Sequence, residues 1–217
     1  MNKSGSPHNH HPNVNPIDAY WVPVPPGIKG FGIKVFRKIR QYYRRRFQNL
    51  SYIFVHNGPF EPVVTPPCGF ARYNHFEEIP YSVRDVMLRH EGEKGLKQAK
   101  FEMKYGASMW VGLVDGQISH RKFVRRGHDF KRWFVDLNED DIVLFREQTY
   151  PGYRGRGIGP AVSRYLMNAL LREGGKAYSD CNIHNMSSIR ALQKNGFMRI
   201  ATMKPITRKQ ALGVDSA

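Results

Sequence analysis

Three glycines at every second position, in Arg154-Gly155-Arg156-Gly157-Ile158-Gly159, constrain this chain more than any other stretch. Just before them, residues 141–149 read as a buried strand, with β-branched and aromatic residues and no helical period. Just after them, Ala161, Val162, Tyr165, Leu166, Ala169 and Leu170 recur at three- and four-residue spacing, the pattern of an amphipathic helix. Glycines at a strand-to-helix turn let the backbone bend sharply and bring free N–H groups close to a ligand. The helix dipole adds partial positive charge there, and Arg154 and Arg156 add full charges, so the turn predicts a phosphate cradle.

Two common phosphate loops do not fit. A Walker loop needs Lys-Ser/Thr after its last glycine, and Pro160-Ala161 stands there. The dinucleotide fingerprint Gly-x-Gly-x-x-Gly fails because the glycines fall at 155, 157 and 159. The pattern Arg/Gln-x-x-Gly-x-Gly/Ala, met by Arg154, Gly157 and Gly159, resembles the acyl-CoA loop of the GNAT acetyltransferases. The lead-in Tyr150-Pro151-Gly152-Tyr153 is similar to the proline and aromatic that precede that loop, and residues 185–197, from Asn185 through Gly196-Phe197, resemble the family's second signature.

The resemblance implies a mixed central sheet flanked by helices, splayed open beside the loop, with acetyl-CoA as co-substrate and no metal. It implies that the backbone of Arg154, Gly155, Arg156, Gly157, Ile158 and Gly159 holds the pyrophosphate. The main chain around Gln148, Thr149 and Tyr150 would pair with the pantetheine arm, and Asn185 would stand near it. Many members carry a tyrosine seven residues after that asparagine; here the position is Leu192. Members that acetylate protein N-termini or modify sugars are similar to this Asn-x-x-Ser-x-x-x-Leu pattern. For the base, Asp180 on the strand beside the cleft stands first, then Glu147, then His120 on the hairpin. Against each stands a structural role: Asp180 capping the next helix, Glu147 pairing with an arginine, His120 as an exposed strand residue.

The rest of the chain fits one α/β domain over 50–204. Tyr52–His56 predicts a strand, followed by a connection rich in proline from Pro59 to Pro67. Residues 80–105 predict two helices broken at Glu91-Gly92, and Asp115-Gly116 between two strand-like runs predicts a tight hairpin. Residues 126–139 read as a polar connection. The helix after the loop runs to about Glu173 and stops at Gly174-Gly175. A strand over 176–182, a helix over 186–194 and a strand over 197–203 follow, and 205–217 reads as a flexible tail.

Residues 1–27 hold Asn, His, Pro, Ser and Gly with little to bury and read as a disordered tail. Residues 28–49 form a basic N-terminal extension with eight Lys and Arg and no acid. Phe36, Ile39, Tyr43 and Phe47 make one apolar stripe on it. Such a helix lies on an anionic membrane or acidic partner, or packs its stripe on the domain. The net charge of +16 favours polyanions in general. His120-Arg121-Lys122 and residues 125–132 are expected to add a positive rim suited to an anionic acceptor. No apolar run reaches ~20 residues, no signal-peptide pattern opens the chain, and Cys68 and Cys181 form no metal or redox motif. The expectation is a cytoplasmic protein, peripheral at the inner membrane face if the basic segment binds lipid.

The resemblance implies an N-acyltransferase acting on a small primary amine, such as an amino sugar of surface-polysaccharide synthesis, with a homodimer as one assembly. The alternatives are a protein N-terminal or lysine acetyltransferase, and a CoA-binding module without catalysis. Specific nucleic-acid binding is not expected, since basic charge alone gives non-specific affinity and no binding motif is visible.

Overall fold

The structure, a computed structural model, describes residues 49–58 and 68–214 and, ahead of them, Ile39 alone. The expectations for 1–27, for nearly all of the basic extension and for the proline-rich connection lie outside these residues.

Seven strands form one sheet in the order β2-β3-β4-β5-β6-β1-β7. They are β1 (Ser51–Asn57), β2 (Gly69–Tyr73), β3 (Ser108–Val114), β4 (Gln117–Arg126), β5 (Ile142–Thr149), β6 (Lys176–Asn182) and β7 (Met198–Met203). All neighbours run antiparallel except β5 and β6. The connection between those two carries α2 (Ile158–Leu170), as a parallel crossover requires. Asp115 and Gly116 both take positive φ, 51° and 74°, so the β3–β4 hairpin closes through the two-residue turn its sequence predicts.

Each face of the sheet buries its own apolar layer. Leu144, Val162, Leu166, Ala177, Ile189 and Leu192 join the sheet to α2 and to α3 (Met186–Lys194). Met87, Ala99, Met109, Phe123 and Val143 join the other face to α1 (Tyr81–Lys104). Gly92, at φ 69° and ψ −175°, breaks α1 into two helices where Glu91-Gly92 predicted the break.

The structure departs from the sequence expectations in four places. The edge strand β2 was not foreseen. Helix α2 ends at Leu170 rather than near Glu173, because Arg126 Nη1 donates to the Leu170 carbonyl at 2.8 Å and Leu171 is extended. The polar connection is not merely polar: Phe130, Trp133, Val135 and Leu137 pack on the α1-side layer. Residues 205–217 are not patternless either. A capping box of Thr207 and Gln210 opens α4 (Arg208–Leu212), Ala211 is fully buried, and its carbonyl accepts the N–H groups of Lys131 and Arg132.

Candidate functional site

Strands β5 and β6 pair only from Ile142↔Ala177 to Leu144↔Ser179. On its other side β5 stays paired with β4 as far as Thr149, opposite His120. Beyond Leu144 the β6-facing edge of β5 therefore has no strand partner among the described residues, and the sheet gapes. A bulge sits at the mouth of this gap. Arg146 takes φ 52°, and the β4–β5 register shifts between Arg121 and Phe123. One extra residue reverses the in–out alternation of everything after it. Phe145 and Arg146 both turn toward α1, where Arg146 Nε donates to Glu102 Oε1 at 2.7 Å. Glu147 is thereby turned to the α2 side, into the gap.

The loop after β5 meets the gap at the N-terminus of α2. Gly152, Gly155 and Gly157 have φ of 85°, 77° and 74°, with nothing near enough to crowd a Cβ. Glycine is required there by backbone conformation rather than by space. Gly157 caps α2 without any side-chain hydrogen bond, Pro160 has no N–H, and Ala161 N–H returns to the Gly157 carbonyl. The amides of Ile158 and Gly159 are left to face the cleft with the positive end of the helix dipole behind them. Arg154 Nε donates to the Thr149 carbonyl at 3.1 Å, which ties the loop back to β5.

The resulting cleft has a volume of about 680 Å3. Its far wall is α3, which presents Ser187, Arg190, Ala191 and Lys194 from one face, with Asn185 at the helix start. Among the described residues Arg154, Arg190 and Lys194 stand against a single carboxylate, Glu147, so this lining is net positive.

Beneath the cleft lies a polar floor. Lys122, 3% exposed, places Nζ 3.0 Å from Glu147 Oε2 and donates to Ser163 Oγ, which in turn donates to the Gly159 carbonyl. His120 is fully buried, with Nδ1 2.9 Å from Thr149 Oγ1 and Nε2 3.8 Å from Glu147 Oε1. Burial, reinforced by the Lys122 and Arg121 charges, lowers the His120 pKa to about 4, so the ring is neutral at pH 7. Burial works against the charge on Glu147, but Lys122 and His120 outweigh it and hold the carboxyl below the usual range. A Cβ at Gly159 would lie 2.6 Å from Glu147 Oε1 and 3.1 Å from His120 Cε1. Here glycine is required by space, since the first turn of α2 rests directly on this floor.

The structure brings Glu147, Gln148, Thr149, Arg154, Gly155, Gly157, Ile158, Gly159 and Asn185 together around the one cleft. Other candidates fall elsewhere. Arg156 lies over the Tyr153 ring at 5.7 Å and does not line the cleft. Tyr150 is turned away: its N–H and carbonyl bond Ser119 and Tyr153, and its phenol donates to Glu91 Oε1 at 2.8 Å. Asp180, placed first as base, alternates with Cys181, which packs in the α2–α3 layer, so it leaves β6 on the opposite face. His120 is neither exposed nor in the cleft but part of its floor. Leu192 is 5% exposed within the core and supplies no acid.

Part of the expected positive rim is buried, whereas Lys131 and Arg132 of the same rim are exposed and the basic extension lies outside the described residues. His120, Arg121, Lys122 and Arg125 are all at most 5% exposed. Arg121 pairs with Glu91 and Arg125 with Glu102 on the α1 side. Lys122, Arg190 and Lys194 were missed as site residues. For the last two a signal existed, since Ser187, Arg190 and Lys194 fall on one face of a helix at spacings of three and four.

No family model matches the chain, and no curated protein matches it by sequence. Solved structures do match by fold. A GNAT-family protein from Novosphingobium aromaticivorans superposes with a TM-score of 0.50 at 18% identity, covering 71% of this chain and 61% of that one. A GNAT-family acetyltransferase from Colwellia psychrerythraea superposes with a TM-score of 0.52 at 13% identity, covering 71% and 53%. The match thus spans little more than half the length of these structures.

Proposed function

We propose that this chain, which has the GNAT acetyltransferase fold, moves an acetyl group from acetyl-CoA to the primary amine of a small acceptor. The observation that carries the reading is a coincidence of two features in one cleft. The unpaired edge of β5 and the uncapped start of α2 open onto the same space of about 680 Å3. A strand edge suits an extended arm with amide groups, and a helix start suits a pyrophosphate.

In this reading the Ile158 and Gly159 amides and Arg154 hold the phosphates, and Arg190 and Lys194 add charge from α3. The β5 edge at Glu147–Thr149 orients the arm. Bound acetyl-CoA supplies a thioester whose carbonyl carbon takes the amine nitrogen and whose sulfur leaves with the bonding pair. Glu147 is the one carboxylate in the cleft among the described residues and accepts the proton that the amine loses. Held below the usual range, it is a weak base, so acceptors with a low amine pKa are favoured. The net charge of +16 supports an anionic acceptor, such as a phosphorylated or nucleotide-linked amino sugar.

A second reading, a CoA-binding module without catalysis, draws support from buried Leu192 and from the low basicity of Glu147. Thiol release from acetyl-CoA, followed with a panel of amino sugars and short peptides, separates the two. Amine-dependent release by a sugar supports small-molecule transfer. Release only by peptides moves the acceptor to protein. No release by any amine, from a protein that binds acetyl-CoA, supports the module.

A further inference from the structure

A second cavity, of about 380 Å3, opens at the other end of the sheet, against the last turn of α2 instead of the first. The 13 residues of α2, at ~1.5 Å each, put roughly 20 Å between it and the cleft. Arg72, His75, Lys104, Arg125 and Arg126 line it, and among the described residues no Asp or Glu does.

The fold gathers these cations from three elements. Arg72 stands opposite Trp110 on the β2–β3 ladder, with its guanidinium 5.3 Å from the indole ring. Arg126 ends β4 and is pinned by Nη1 to the Leu170 carbonyl at 2.8 Å, which leaves Nε and Nη2 for other acceptors. Lys104 closes α1. Arg125 is already neutralised by Glu102 on the far face and is not counted.

The neighbouring carboxylates Glu78, Asp129 and Asp140 do not line the cavity, and each has a partner of its own. Glu78 accepts the N–H groups of Asn74 and His75 at 2.7 and 3.2 Å, Asp140 is held by Arg172 at 3.2 Å, and Asp129 faces His128 at 3.5 Å. Burial, then the neighbouring charges of Arg172 and Arg72, press the Arg126 pKa below its ordinary value despite the opposing carboxylates of Asp140 and Asp129. Three cations thus share the wall of one concave space whose described lining holds no carboxylate.

We propose that this cavity is a second anion site, which takes the phosphate of a small phosphomonoester between Arg72, Arg126 and Lys104. The planar guanidinium groups match a phosphate in fork geometry, and Lys104 adds a point charge suited to a dianion. Asn74 and the Ser108 hydroxyl are polar groups in the same wall. The volume exceeds that of phosphate alone and leaves room for a sugar-sized remainder.

Calorimetric titration of the full chain with inorganic phosphate and with glucose 6-phosphate, at constant ionic strength against sodium chloride, tests this. The cleft also attracts phosphate, so Lys194→Gln reports on the cleft while Arg72→Gln and Arg126→Gln report on the cavity. Arg72 is exposed on an edge strand, so its variant keeps the fold even where Arg126→Gln does not. The expected result is a saturable binding component that weakens at least tenfold in Arg72→Gln and persists in Lys194→Gln, with the ester bound more tightly than phosphate. Binding lost in Lys194→Gln but intact in Arg72→Gln, or no saturable binding of either probe, overturns the proposal. Neither result depends on acetyl transfer.

Discussion

Gly157 and Gly159 are two residues apart and are required for different reasons, which experiment can tell apart. At Gly157 the backbone is left-handed and the surroundings are open, so Gly157→Ala meets only backbone strain, ~1–2 kcal/mol. At Gly159 the backbone is ordinary but the added methyl meets Glu147, which cannot retreat because Lys122 holds it. Gly159→Ala is therefore expected to lower stability by ~1–3 kcal/mol and to weaken acetyl-CoA binding at least tenfold. Thermal melts and titrations of both variants check this; equal binding in wild type and Gly159→Ala would contradict the close packing of α2 on its floor. Lys122 itself gives a pH-dependent prediction. Glu147 has a depressed pKa in the folded state, so its pairing stabilises above the unfolded carboxyl pKa and the gain is lost as pH falls through the folded one. Lys122→Met should cost roughly 2 kcal/mol at pH 7, a buried-pair value reduced because Glu147 is 23% exposed, and clearly less near pH 3. Denaturant melts at the two pH values measure the difference.

At the scale of elements, two irregularities place the site, and they were not equally visible. The kink of α1 was legible, because a glycine inside a helical period is a recognised breaker. Beside it Glu91 accepts from Arg121 of β4 and from the phenol of Tyr150, so the kink is fastened to the residue that leads into the loop. Glu91→Ala leaves the Arg121 charge buried without its partner and should cost roughly 3 kcal/mol. It should also loosen the loop, seen as faster amide exchange at residues 150–157; unchanged exchange would mean that Tyr150 does not anchor it. The bulge at Arg146 was not legible, since an arginine gives no sign of positive φ. That one residue decides that Glu147 faces the cleft, a facing that the sequence pattern does not assign. The hairpin and the strand–loop–helix were readable because turn chemistry and periodicity are local. The burial of Arg121 and Lys122 was not, because their partners Glu91 and Glu147 lie 25 to 30 positions away along the chain. The Thr207–Gln210 capping box was local and readable, and it marks a helix where a patternless tail was expected.

For the whole molecule, the buried floor links stability to acid. His120 has a folded-state pKa of about 4 against 6.5 for the free side chain, so the unfolded chain binds the extra proton between those values. Stability must then rise with pH through that window and fall on acidification, by up to ~3 kcal/mol from this group. His120→Gln should flatten the profile between pH 6.5 and 4, and an unchanged slope would show that the ring is not buried neutral. The sheet, its two apolar layers and this floor all serve to hold one strand edge and one helix start at a common opening. Acetyl-CoA binding is therefore the property on which the account rests. The direct measurement is the melting temperature with rising acetyl-CoA, in wild type and in Gly157→Glu, which sets a carboxylate into the loop ahead of α2. A ligand that binds only the folded state raises the midpoint by mass action. The account predicts a rise that grows with ligand concentration in wild type and is absent in Gly157→Glu. A folded wild type whose midpoint does not move, or an equal rise in both proteins, would contradict it.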